Sequence, residues 1–128
     1  MRHDDAHFER IARETVEAFP PALLKAAREV SLRVAEWPTP EMMADLDIRD
    51  PRDLTGLYEG TPLPEKSFSD PAPWPDTVWL FRQPILAEWR ERPGQSLDEL
   101  IAHVTVHEFA HHFGWSDEEI GAIDPWWE

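Results

Sequence analysis

The sequence predicts one domain in which helices pack on a short sheet. Three observations predict it: apolar residues at helical spacing near both ends of the chain, short runs of alternating or branched residues between them, and a length that holds one core. A chain of 128 residues buries on folding roughly two-thirds of the surface its unfolded form exposes, which supports one core and not two. Residues 1–128 are therefore expected to form a single domain.

The elements follow in order. Phe8, Ile11, Ala12, Thr15 and Phe19 recur at helical spacing behind an Asp4 or Asp5 cap, and Pro20 and Pro21 end that helix, which is expected to cover a sheet. A short helical stretch from Pro21 to Ala27 precedes Val30, Leu32 and Val34. These alternate with Ser31 and Arg33 as a half-buried strand does, closing at Trp37-Pro38. Glu41 to Asp47 adds one or two helical turns. Leu54 to Gly60 reads as a short strand or hairpin arm, and Thr61 to Asp76, with five prolines, as a long loop forming a rim or lid. Thr77 to Arg82 has the branched and aromatic residues of a strand that Pro84 ends, and a helix begins within Ile85 to Arg90.

Composition excludes several function classes. With 12 Lys plus Arg against 26 Asp plus Glu, the net charge is 12 − 26 = −14, and two lysines make no basic patch for a phosphate backbone, so nucleic acid is not an expected partner. The lack of cysteine removes disulfides, thiol nucleophiles, iron-sulfur clusters and Cys-type zinc sites, leaving His and carboxylates as metal ligands. Hydrophobic residues at 41%, with seven Trp and six Phe, supply enough apolar surface for a core despite the charge. The beginning of the chain, Met1-Arg2-His3-Asp4-Asp5, lacks a signal-like apolar region, and no run reaches the ~18 apolar residues of a membrane span. A soluble, cytoplasmic protein without a membrane partner is expected.

The chemistry lies in the last quarter. Ser96-Leu97-Asp98-Glu99 is a capping box, so a helix begins here, with Leu97, Leu100, Ile101 and Val104 as its apolar stripe. Helical steps carry Leu100 and Val104 on to His107 and His111, predicting that both histidines continue the core-facing side. His107-Glu108-Phe109-Ala110-His111 is a His-Glu-x-x-His motif. Residues four apart on a helix project side by side, so both imidazoles reach one divalent ion, while Glu108 approaches the attacking water without ligating. Gly114 ends the helix, because glycine accepts the left-handed conformation needed to fold a third ligand back. Asp117, ten residues after His107, is the natural third ligand, with Glu118 and Glu119 as alternatives. Two imidazoles and a carboxylate leave one position open on a zinc ion, the arrangement of a catalytic site.

The stretch from His107 to Glu119, HEFAHHFGWSDE followed by Glu, resembles the small zincin-like metallopeptidases of bacteria, the minimal zincins, with weaker similarity in Gly56-Leu-Tyr-Glu-Gly60 and Asp76-Thr-Val-Trp-Leu-Phe-Arg82. The resemblance spans nearly the whole chain. It implies an α+β fold, a small single domain whose short mixed sheet packs on the HExxH helix. It also implies peptidase activity with one zinc ion held by His107, His111 and Asp117, and Glu108 as general base. All three methionines precede the motif, so no methionine turn lies beneath the ion and the chain is not a metzincin. Eleven residues follow Asp117, too few for a second subdomain, so the cleft is expected to be shallow or built from earlier segments.

The expected reaction is hydrolysis of a peptide or small unfolded protein segment, with substrate-binding residues and oligomeric state unspecified. The alternative is a zincin-like metal-binding module with regulatory or interaction functions and little turnover. Four further residues have two readings each. Tyr58, the only tyrosine, is either an oxyanion donor or a turn residue packed on the sheet, and Arg82 either such a donor or a strand-end charge. His103 either lines the pocket or sits satisfied on the helix face, and His112, turned about 100° from His111, is expected to be structural or at the surface. The strand from Val78 to Phe81 is either a free edge to which a peptide adds or an ordinary core strand. Trp115, Trp126 and Trp127 either close the core or offer an apolar surface to a partner.

Overall fold

The computed structural model describes residues 4–60, 76–92 and 94–113. Helix α1 (Asp5–Glu17) begins where the Asp4 carboxylate accepts the His7 amide at 3.0 Å; of its predicted stripe Phe8, Ile11 and Ala12 are buried, with Val16 inward and Thr15 half-buried. Pro20 ends that path and Pro21 opens α2 (Pro21–Arg28), where its missing N–H costs no helical bond. Strand β1 (Ser31–Ala35) follows. Helix α3 (Pro40–Asp45) is capped by Thr39. A 3₁₀ turn at Pro51–Asp53, capped by Asp50, leads to β2 (Gly56–Glu59).

Strand β3 (Thr77–Phe81) lies at the centre of the three-stranded sheet, in the order β1-β3-β2. It runs parallel to β1, with Ser31 opposite Thr77 and Ala35 opposite Phe81. Against β2 it is antiparallel, with Gly56 opposite Leu80 and Glu59 opposite Thr77. The sheet is therefore mixed, and the fold is α+β. The free-edge reading of Val78 to Phe81 is corrected, because both of its sides are paired. Insertion between β1 and β2 explains why Val78, Leu80 and Phe81 are fully buried, as a central strand requires.

Helix α4 (Arg82–Glu91) starts directly after β3, three residues earlier than predicted, since Pro84 falls in its first turn, where proline is tolerated. Glu36, just past β1, takes the place of a side-chain cap. Its carbonyl accepts the Gln83 amide at 3.1 Å, and its carboxylate receives two Arg82 guanidinium bonds at 2.6 and 2.7 Å and one from the Gln83 side chain at 3.0 Å. Arg82 is thus the buttress that ties α4 to β1.

Helix α5 (Leu97–His112) and α1 pack together on one face of the sheet. His7 bonds Asp98 at 2.6 Å where these helices begin. At the other end Phe19 packs edge-on against Phe109 and Phe113, with ring centres 5.5 and 6.1 Å apart. Phe8, Val78, Leu80, Ile85, Leu100 and Ile101 fill the space between the layers with no exposure, and emptying any of the larger sites costs about 2–5 kcal/mol. Among the described residues, no helix is long and apolar enough to cross a membrane.

Candidate metal centre

Helix α5 carries the candidate centre. Ser96 Oγ accepts the Glu99 amide at 3.0 Å, fixing the register from the capping box onward. Leu97, Leu100, Ile101 and Val104 are buried, as their stripe predicts. One turn on, Thr105 is fully buried and donates its hydroxyl to the Ile101 carbonyl at 2.8 Å, so it satisfies itself within the helix.

The next turns depart from the expected facing. His107 and His111 are half-buried, whereas Phe109, Ala110 and His112 go inward. The prediction that both histidines continue the core side is corrected: they stand at its margin, where a side chain can pack along its length and still present a ring nitrogen. Their rings lie 5.0 Å apart, centre to centre, inclined by 77°. Two imidazoles on one tetrahedral zinc ion, each bound through a nitrogen at about 2.0–2.1 Å, would have ring centres roughly 5 Å apart, a separation this pair matches.

Glu108, between them in sequence, is half-buried and turned toward β2. A β-carbon built on Gly56 would stand 3.0 Å from Glu108 Cγ and 2.8 Å from Val104 Cγ1, so the strand backbone lies directly against the glutamate methylenes. Glu108 and the two histidines therefore occupy adjacent faces of α5.

His112 is 3% exposed and serves the core. Its Nδ1 lies 2.9 Å from the Tyr58 hydroxyl and 3.2 Å from Asp76 Oδ2, with Asp76 itself buried at the start of β3. The structural reading of His112 holds. Tyr58 is a packing residue whose hydroxyl is directed at His112, and Arg82 is engaged by Glu36, so neither has the position of an oxyanion donor. His103 is half-buried on the turn before His107. Sequence reasoning missed Asp76, for which a lone acid ahead of a strand gives no signal. It also missed the reason for Gly60, which has φ +152 and whose absent β-carbon leaves room for the Asp76 carboxylate.

Among the described residues, no group of three His, Asp or Glu side chains stands close enough to hold a metal ion. Gly114, Asp117, Glu118 and Glu119 lie outside the described residues, as do Trp115, Trp126, Trp127 and, of the stretch Thr61 to Asp76 predicted as a loop, all but Asp76.

A search of the curated proteins finds no match to the chain. Residues 27–127 match the family described as zincin-like metallopeptidase, a span that takes in the whole sheet, α5 and the motif. With the match extending over most of its length, the chain belongs to the zincin-like metallopeptidase family.

Proposed function

We propose that the protein is a zinc-dependent peptidase in which His107, His111 and Asp117 hold one ion, with Glu118 and Glu119 as the alternative third ligands, and Glu108 is the general base. The observation that carries this reading is the 5.0 Å spacing of the His107 and His111 rings beside a half-buried Glu108. When bound, zinc supplies Lewis acidity, lowering the pKa of a water toward ~7 and polarising the scissile carbonyl. Glu108 accepts a proton from the attacking water as the new C–O bond forms, then delivers it to the amide nitrogen as the C–N bond breaks.

The substrate chain is proposed to add along the outer edge of β2. The Phe81 amide donates to the Thr55 carbonyl at 2.9 Å, so by antiparallel alternation Leu57 and Glu59 also turn their main-chain groups to β3, while Gly56 and Tyr58 turn theirs away. Among the described residues no strand pairs with that edge. Main-chain bonding there would recognise an extended peptide with little side-chain selectivity. Cytoplasmic peptides or small unfolded proteins are the substrate class of this proposal.

The test is Glu108→Gln. The variant is expected to bind zinc at one equivalent and to lose hydrolysis of a mixed peptide library that the parent cuts. Parental rates in that variant would overturn the mechanism. Stoichiometric zinc with no hydrolysis by the parent would replace the reading with a metal-binding module of little turnover.

A further inference from the structure

Strand β2 and helix α5 come closest at Gly56. A β-carbon there would meet Val104 Cγ1 at 2.8 Å, Glu108 Cγ at 3.0 Å and the Trp79 carbonyl oxygen at 3.2 Å. Two of these neighbours, and the strand itself, cannot give way. The Trp79 oxygen belongs to the central strand. Val104 is buried, and its β-branched side chain has one strongly preferred helical rotamer. The strand itself is pinned on both sides of the contact, by the Phe81 to Thr55 hydrogen bond before it and by Tyr58 on His112 after it. The remaining neighbour is the half-buried Glu108 side chain, an unbranched chain with three rotatable bonds.

We propose that Gly56 is a positioning residue for Glu108: its missing side chain leaves the space in which the glutamate methylenes lie, and any larger residue displaces the carboxylate from its working place. The proposal rests on the reading of Glu108 as general base. It explains why the strand beside the motif carries glycine at a buried position whose backbone conformation does not require it. The requirement is one of space, because Gly56 has no positive φ.

The experiment compares Gly56→Ala, Gly56→Ala with Val104→Ala, and Glu108→Gln, using the peptide most rapidly cut from a mixed library. The single alanine variant relieves nothing and is expected to be less stable. Trimming Val104 removes the closer contact, so the double variant is expected to recover folding while the contact with Glu108 persists. Its kcat is expected to fall about 100-fold, with KM and zinc affinity within about threefold of the parent.

A readout independent of activity uses metal-free protein with 13C-labelled glutamate. The Glu108 side-chain resonances are expected to move in the double variant while those of Glu99, nine residues and two and a half turns away on the same helix, stay in place. Parental kcat and unmoved Glu108 resonances in the folded double variant would overturn the proposal. A fully active Glu108→Gln would instead overturn the reading of the site, and it is seen without any change at Gly56.

Discussion

Tyr58 on β2 and His112 on α5 are joined by a 2.9 Å hydrogen bond, with ring centres 5.4 Å apart, across the seam between sheet and helix. Two residues of strand advance about 6.7 Å and four residues of helix about 6 Å, so the two elements stay in step along that seam. Gly56 accordingly meets Val104 and Glu108, and Tyr58 meets His112 one turn on. The same contact line therefore both holds the sheet on the helix and passes beside the proposed base.

A structural Tyr58 has a distinct signature. Tyr58→Phe keeps the ring and removes the hydroxyl from His112, and is expected to cost about 1 kcal/mol, or about 3 °C of melting temperature. Turnover and zinc content are expected to stay at parental levels. An oxyanion donor would behave in the opposite way, losing about 100-fold in kcat with stability intact. Calorimetry and peptide kinetics on one preparation distinguish them.

Adjacent histidines are expected to fail differently. His111→Ala changes a half-buried side chain and should leave the melting point of metal-free protein near the parent's, while tight zinc binding is lost. His112→Ala withdraws an imidazole from a buried carboxylate, Asp76, and is expected to cost about 3 kcal/mol. Melting curves of metal-free protein and zinc titrations check both. A stable His112→Ala that no longer binds zinc would reverse the assignment.

Much of this arrangement is legible in the sequence because local rules govern it. Asp4, Thr39 and Ser96 cap helices where the side-chain chemistry says they should, and the His107 to His111 spacing alone puts two imidazoles on neighbouring turns. What escapes is set by tertiary contact. Strand order is invisible in the run Thr77 to Phe81, whose composition suits an edge or a centre equally. Whether His112 is structural or at the surface is undecided until the sheet is in place, because its burial depends on Tyr58 and Asp76, 54 and 36 residues away in sequence. Arg82 looks like a terminal charge until Glu36, 46 residues earlier, is found beneath it.

Acid should weaken the tie between β1 and α4. The Arg82 guanidinium, helped by the Gln83 amide, holds Glu36 at about 2 against an ordinary 4.5. A carboxyl depressed in the folded state contributes fully above about 4.5 and loses that contribution as pH falls toward 2. Because Glu36 is 45% exposed, screening by solvent limits the effect to on the order of 1 kcal/mol. Glu36→Gln is expected to lower the melting temperature at pH 6 and to converge with the parent near pH 2. Parallel melting curves across that range would exclude the pair as a source of acid sensitivity.

The third ligand can be identified by affinity alone. In the proposed site Asp117, ten residues after His107 and three after Gly114, is the third ligand, with Glu118 and Glu119 as the alternatives. Losing a partner one step removed from a metal typically costs ten- to a hundredfold in affinity, and losing a direct ligand costs more. Asp117→Asn is therefore expected to weaken zinc binding more than a hundredfold in competition with a chelator, with Glu118→Gln and Glu119→Gln within about tenfold of the parent. Each change removes one negative charge, so a general electrostatic effect would weaken all three equally. A loss confined to Glu118→Gln or Glu119→Gln would move the ligand to that residue and leave His107 and His111 in place.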